Sequence, residues 1–187
     1  MRAVVASKPP LRRIGVCLTC GAVLTFWLLG LWVESVVAAR ITNEPSGFGG
    51  YLWGNSSAQY PSLRHVQDAG VANQLENVEV FENPGEALTL NGVALTKVYY
   101  RFFKGKLGSV ELKYEGRANR EKLREWIEKS YGKLPLSERK QQHIEWHGDN
   151  TVISLGYDPT TNLGRLWFIY LALSPFDNSL NTTGSVQ

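Results

Sequence analysis

His143-x-Glu145-x-His147 is the one cluster in this chain whose residue types and spacing suit a metal ion. On a β-strand side chains alternate, so these three would share one face while Ile144 and Trp146 turn to the core. Imidazole with carboxylate suits zinc or copper. Distance works against a three-ligand site, because residues four apart on a strand stand ~13 Å apart while ligand bonds are ~2 Å. A chelate would pair Glu145 with one neighbour, helped by Asp149, and would need a further ligand from elsewhere. The plainer alternative is a polar face turned to water or lying under a loop. The pattern is not the helical H-E-x-x-H, so it gives metalloprotease chemistry no support.

Other catalytic templates fare worse. Ser109 and Ser154 fall in strand-like segments, not in a G-x-S-x-G elbow, and the sequence places no His/Asp pair beside them. His65 stands alone. Gly47, Gly49 and Gly50 precede no strand-to-helix turn of the phosphate-binding kind. The expectation is therefore no catalytic residue and no cofactor.

The compartment is read from the start of the chain. Residues Ile14 to Val33 carry no charge, Arg12 and Arg13 precede them, and the small residues Val36-Val37-Ala38-Ala39 follow. A basic head, an apolar middle and a small-residue end make a secretory signal. The apolar run also approaches the ~20 residues that span a bilayer. Residues 1–39 are thus expected to be a signal peptide cut after Ala39, or an uncleaved single-pass anchor through residues 14–33. A cleaved signal is the favoured form. Either places the rest in the periplasm or on the extracytoplasmic face, if the basic end stays inside.

Cysteine and charge narrow the classes further. The only cysteines, Cys17 and Cys20, lie in the leader, so the exported part has no disulfide and no thiolate. Four of the 20 basic groups and one of the 17 acidic groups fall in residues 1–39, which leaves sixteen of each beyond it. A neutral, mixed surface excludes nucleic acid as an expected partner.

The elements that must carry these residues form one α+β domain. Residues 40–46 read as a linker, 47–173 as the domain and 174–187 as a flexible tail rich in Ser, Thr and Asn. Lys97–Phe103 and Leu107–Glu115 make a hairpin about Lys104-Gly105-Lys106. In its second arm Val110, Leu112 and Tyr114 should pack while Ser109, Glu111, Lys113 and Glu115 meet water. Asn119 should cap an amphipathic helix at about residues 119–131, with Leu123, Trp126, Ile127 and Tyr131 on its buried stripe and Gly132 ending it. Gln142–His147, Thr151–Tyr157 and Leu166–Leu173 read as three further strands. The fold expected is an antiparallel sheet of about five or more strands with that helix on one face, behind an N-terminal signal or anchor helix.

Certain motifs carry a resemblance. Phe48-x-Gly50-x-x-Trp53-Gly54, Tyr100-x-Phe102-Phe103-Lys104-Gly105-Lys106-Leu107, Tyr131-Gly132, Trp146-x-Gly148 and Thr151-x-Ile153-x-Leu155-x-Tyr157 resemble an uncharacterised family of small exported bacterial proteins. The resemblance spans roughly residues 47–173 and implies fold and export, but no activity. The layout is also similar to small helix-plus-sheet envelope modules that bind proteins, such as β-lactamase inhibitory proteins and a small outer-membrane assembly lipoprotein.

Large side chains on both faces of the first and last strands (Tyr99, Arg101, Phe103; Trp167, Ile169, Leu171) leave one face that the helix cannot reach. Residues 47–96 or a partner must cover it. The function expected is a non-catalytic envelope module that binds another envelope protein. The alternatives are a metal protein using His143, Glu145 and His147, or a carrier of a small apolar ligand held between helix and sheet.

Overall fold

The computed structural model describes residues 39–67 and 77–173. Apart from Ala39, the expected leader lies outside the described residues, as does the expected tail at 174–187. No described helix is long and apolar enough to cross a membrane.

The elements run β1 (Ala39–Arg40), β2 (Gly47–Phe48), β3 (Tyr51–Leu52), a 3-10 turn (Ser57–Gln59), β4 (Arg64–His65), β5 (Val78–Glu82), β6 (Thr89–Leu90) and β7 (Val93–Phe103). Then come β8 (Lys106–Glu115), α1 (Arg117–Tyr131), β9 (His143–His147), β10 (Thr151–Asp158), β11 (Leu163–Tyr170) and a 3-10 turn (Leu171–Leu173). The main sheet has the order β1-β9-β10-β11-β8-β7-β5-β4, with β6 beside β7 and β2-β3 forming a separate ribbon. The fold is α+β: among the described residues, one α-helix packs against one large sheet. Every pairing in the main sheet is antiparallel except β1 with β9, so the sheet is mixed.

Local chemistry explains the pieces. Lys104 and Gly105 both hold positive φ (50° and 74°), the two-residue turn whose twist suits a hairpin. Val98, Tyr100, Phe102, Val110, Leu112 and Tyr114 are buried on one face of that hairpin. Leu123 and Ile127 of α1 are fully buried against the same face. Phe168 of β11 takes Trp126 and Tyr131 edge-on, at ring separations of 6.3 and 5.9 Å. Gly164 also faces the core: a Cβ there would collide with the ring of Tyr114, whose hydroxyl donates to the Gly156 carbonyl at 2.8 Å.

Three expectations need correction. The helix begins at Arg117, with Gly116 in the cap position and no side-chain cap; Asn119 turns back and its Nδ2 donates to the Glu115 carbonyl at 2.8 Å. Residues 40–46 are no slack linker. Ala39 and Ile41 are buried, Ala39 pairs with Trp146, the Thr42 amide donates to the Tyr131 carbonyl at 2.7 Å, and Glu44 accepts from the Asn150 amide at 3.0 Å. Nor do the aromatic rings described within residues 47–96 cover the second face. Those that stack on the sheet, Phe48 on Phe168 and Tyr51 on Tyr100, lie on the side α1 already covers.

Beneath that N-terminal ribbon the Tyr100 hydroxyl donates to Glu86 Oε1 at 2.7 Å, while Glu86 Oε2 is buried with no partner. Burial raises the Glu86 carboxyl above its ordinary value of 4.5, and the Tyr100 hydrogen bond only partly offsets this. The folded state therefore holds this proton more tightly than the unfolded chain. The resulting stability is complete below about pH 4.5 and is lost as pH rises through the raised value. Glu86→Gln is expected to flatten that decline and raise the melting temperature near neutrality, read from thermal unfolding at several pH values. A variant as pH-dependent as the parent would contradict the assignment.

Candidate functional site

Side chains alternate along each strand, so the face away from α1 can be read as rows across the sheet. One row runs Tyr99, Glu111, Trp167, Ser154 and Glu145 through β7, β8, β11, β10 and β9. Lys97, Lys113, Arg165, Gly156 and His143 form the row on one side of it. Arg101, Ser109, Ile169, Val152 and His147 form the row on the other. No described helix crosses these rows. Tyr99, Trp167 and Ile169 stay partly exposed, whereas the Arg101 side chain is only 13% exposed and Val80 of β5, opposite Arg101, is sealed.

The strand β9 does bring His143, Glu145 and His147 together, as their spacing predicts. Each histidine Nε2 lies 3.0 Å from its own oxygen of Glu145: His143 from Oε1 and His147 from Oε2. The carboxylate thus sits between two imidazoles instead of joining them about a shared point. Asp149 is engaged elsewhere, 3.2 Å from Arg40. Among the described residues no group of three or more His, Cys, Asp or Glu is arranged to hold a metal ion. The trio forms a surface hydrogen-bond bridge.

Sequence reasoning missed a neighbour. The β9–β10 register sets Ser154 Oγ 3.3 Å from His143 Nε2, so serine, histidine and glutamate lie in contact. Their geometry does not make a nucleophile. In a working triad the hydroxyl and the carboxylate engage opposite ring nitrogens, so that one orients the base while the other delivers its proton. Here Ser154 and Glu145 meet the same nitrogen, and Nδ1 faces Gly156. Ser109 stands between Arg101 and Ile169, three strands away from His147 in the same row. His65 is exposed and packs its ring edge-on against Phe81 at 5.3 Å.

A second cluster overturns a simpler expectation. Alternation places Glu111 toward water, yet it is only 1% exposed. Arg101 Nη2 meets Glu111 Oε2 at 2.7 Å, and Arg165 Nε stands 3.6 Å from Oε1. The Arg101 guanidinium lies 4.3 Å over the Trp167 ring and 5.9 Å from that of Tyr99, while Arg101 Nη1 is buried without a partner. Aromatic faces attract cations, and the rings here shield the ion pair from water. The signal was present in the bulk of Tyr99 and Trp167, but only the β7–β8–β11 register stacks them about Glu111.

Beside this cluster the face sinks into a groove of about 590 Å³ lined by Lys113, His143, Gly156, Asp158, Arg165 and Trp167 among others. Gly156 contributes no side chain, and a register shift between Leu95 and Lys97 bulges β7 at Thr96 on the groove's rim. The hollow is therefore written into the strands. The space between helix and sheet, where the alternative reading would seat a small apolar ligand, is occupied by Leu123, Ile127, Trp126, Leu166 and Phe168. Neither protein-family models, nor curated proteins, nor solved structures match this chain.

Proposed function

We propose that this chain is an exported, non-catalytic envelope protein that holds another protein against the sheet face opposite α1. The observation that carries the reading is that Tyr99, Trp167 and Ile169 are only partly buried on a broad face that no described helix crosses, with Arg101 held between the rings of Tyr99 and Trp167. Aromatic and arginine side chains are the residues that anchor protein interfaces, and Lys or Glu alone is what a plain solvent face carries. The misaligned serine, histidine and glutamate argue for binding over hydrolysis. A basic, then apolar, then small-residue leader supports delivery to the periplasm or extracytoplasmic face, with the membrane touched only through residues 14–33 if they are not removed.

The test uses a photo-crosslinking amino acid at Tyr99 and, as control, at exposed Lys122 on α1, in cells that make the protein. Adducts with one envelope protein from position 99 and none from position 122 are expected. Adducts equally frequent from both positions, or none from Tyr99, would remove the face from consideration. An N-terminal fusion of residues 1–46 to alkaline phosphatase, which is active only outside the cytosol, checks export separately.

A further inference from the structure

The row Lys97, Lys113, Arg165 places three cationic side chains directly opposite one another on β7, β8 and β11. Like charges so placed across a ladder destabilise it unless anions intervene. Lys97 is met by Glu82 at 2.7 Å. Arg165 has only the 3.6 Å approach to Glu111, whose other oxygen is held by Arg101. Lys113 makes no ion pair with any described residue; its Nζ lies 5.0 Å over the Tyr99 ring. Next in the row comes Gly156, then His143, so these cations border the one position where the row has no side chain. Asp158, at the groove's end, is spent on the Thr160 amide (2.8 Å) and the Thr161 hydroxyl (2.9 Å).

We infer that this groove receives a carboxylate side chain of an acidic peptide segment, seated over Gly156 against Arg165 and Lys113. This deepens, and rests on, the reading of the face as a binding surface. A guanidinium fork matches a carboxylate with two parallel hydrogen bonds, and a neighbouring ammonium adds a point charge. The Trp167 ring supplies an apolar wall for the methylene groups of a glutamate. Phosphate is the poorer fit. Phosphate sites draw on free backbone N–H groups at a helix N-terminus or a nest, whereas the strands around Gly156 are paired on both sides and spend theirs in the ladder.

Isothermal titration of the full chain at low salt, with capped tetraglutamate, capped tetraglutamine and inorganic phosphate as probes, decides the matter. Tetraglutamate should bind at least about tenfold more tightly than tetraglutamine, the scale of one or two charge-assisted hydrogen bonds. Lys113→Met with Arg165→Met should weaken it by about tenfold or more, while Lys122→Met with Lys129→Met, removing the same charge from α1, should leave it within about twofold. The inference is overturned if the two peptides bind alike, if tetraglutamate gives no signal up to millimolar, or if the α1 pair weakens binding as much. Phosphate displacing the peptide at equal concentration would also overturn it, by showing a site for small anions. Loss of the Tyr99 adduct would sink the binding face itself, whereas intact adducts with silent tetraglutamate would sink only the acidic partner.

Discussion

Glu111→Ala is expected to destabilise the domain by about 3–5 kcal/mol, the cost of leaving one member of a buried ion pair alone. The carboxylate is almost wholly buried, and Arg101 lies beneath Trp167 with Nη1 already lacking a partner. Removing Glu111 would strand that guanidinium in a poorly hydrated place and loosen Arg165 as well. Replacing both members, Arg101→Met with Glu111→Leu, should recover most of the loss, because two apolar groups of similar bulk need no counter-charge. Urea unfolding followed by tryptophan fluorescence measures both. A single variant within about 1 kcal/mol of the parent, the worth of an exposed pair, would mean that the pair is effectively hydrated.

Trp146→Ala should be comparably severe, about 3–5 kcal/mol for a fully buried aromatic truncated to a methyl group. Trp146 does more than fill space. Its indole Nε1 donates to the Gly132 carbonyl at 2.8 Å just past the end of α1, and its backbone pairs with Ala39. Three segments far apart in sequence thus meet on one residue. Trp146→Phe keeps most of the packing but leaves the Gly132 carbonyl unmatched, so a loss of about 1–3 kcal/mol is expected. Amide exchange near residues 131–134 should quicken in both variants. Unchanged exchange there would show that the indole does not hold the end of the helix.

The hairpin, the helix, β9 and β10 were legible because each carries a local pattern; the last strand, read as Leu166–Leu173, instead runs Leu163–Tyr170, and Leu171–Leu173 close into a 3-10 turn. Val110, Leu112 and Tyr114 alternate, Leu123 and Ile127 recur at helical spacing, and Lys104-Gly105 accepts positive φ. What escaped was set by pairing. Two residues at Ala39–Arg40 have no period to read, and only Trp146 and His147 make them a strand. Glu111 obeys the alternation yet is buried, because Arg101 and Trp167 arrive from neighbouring strands. The site followed the same division. His143, Glu145 and His147 share a face as strand geometry requires, but the meeting of Ser154 with His143, and the hollow at Gly156, depend on which residues stand opposite in β10. Asn119 looked like a cap because its type is right; the chain instead turns into the helix at Gly116, whose positive φ of 88° begins the bend.

The pairing of Ala39 with Trp146 bears on the order of events as the protein is made. A peptidase needs its target bond extended and free in its own cleft, yet here Ala39 is only 3% exposed, and the Ile41 amide just beyond donates to the His147 carbonyl at 2.9 Å. A cut after Ala39, if one is made, must therefore precede folding, and it would take Ala39 from Trp146 and leave Arg40 alone beside His147. A chain that folded first would hold the bond after Ala39 out of any peptidase's reach.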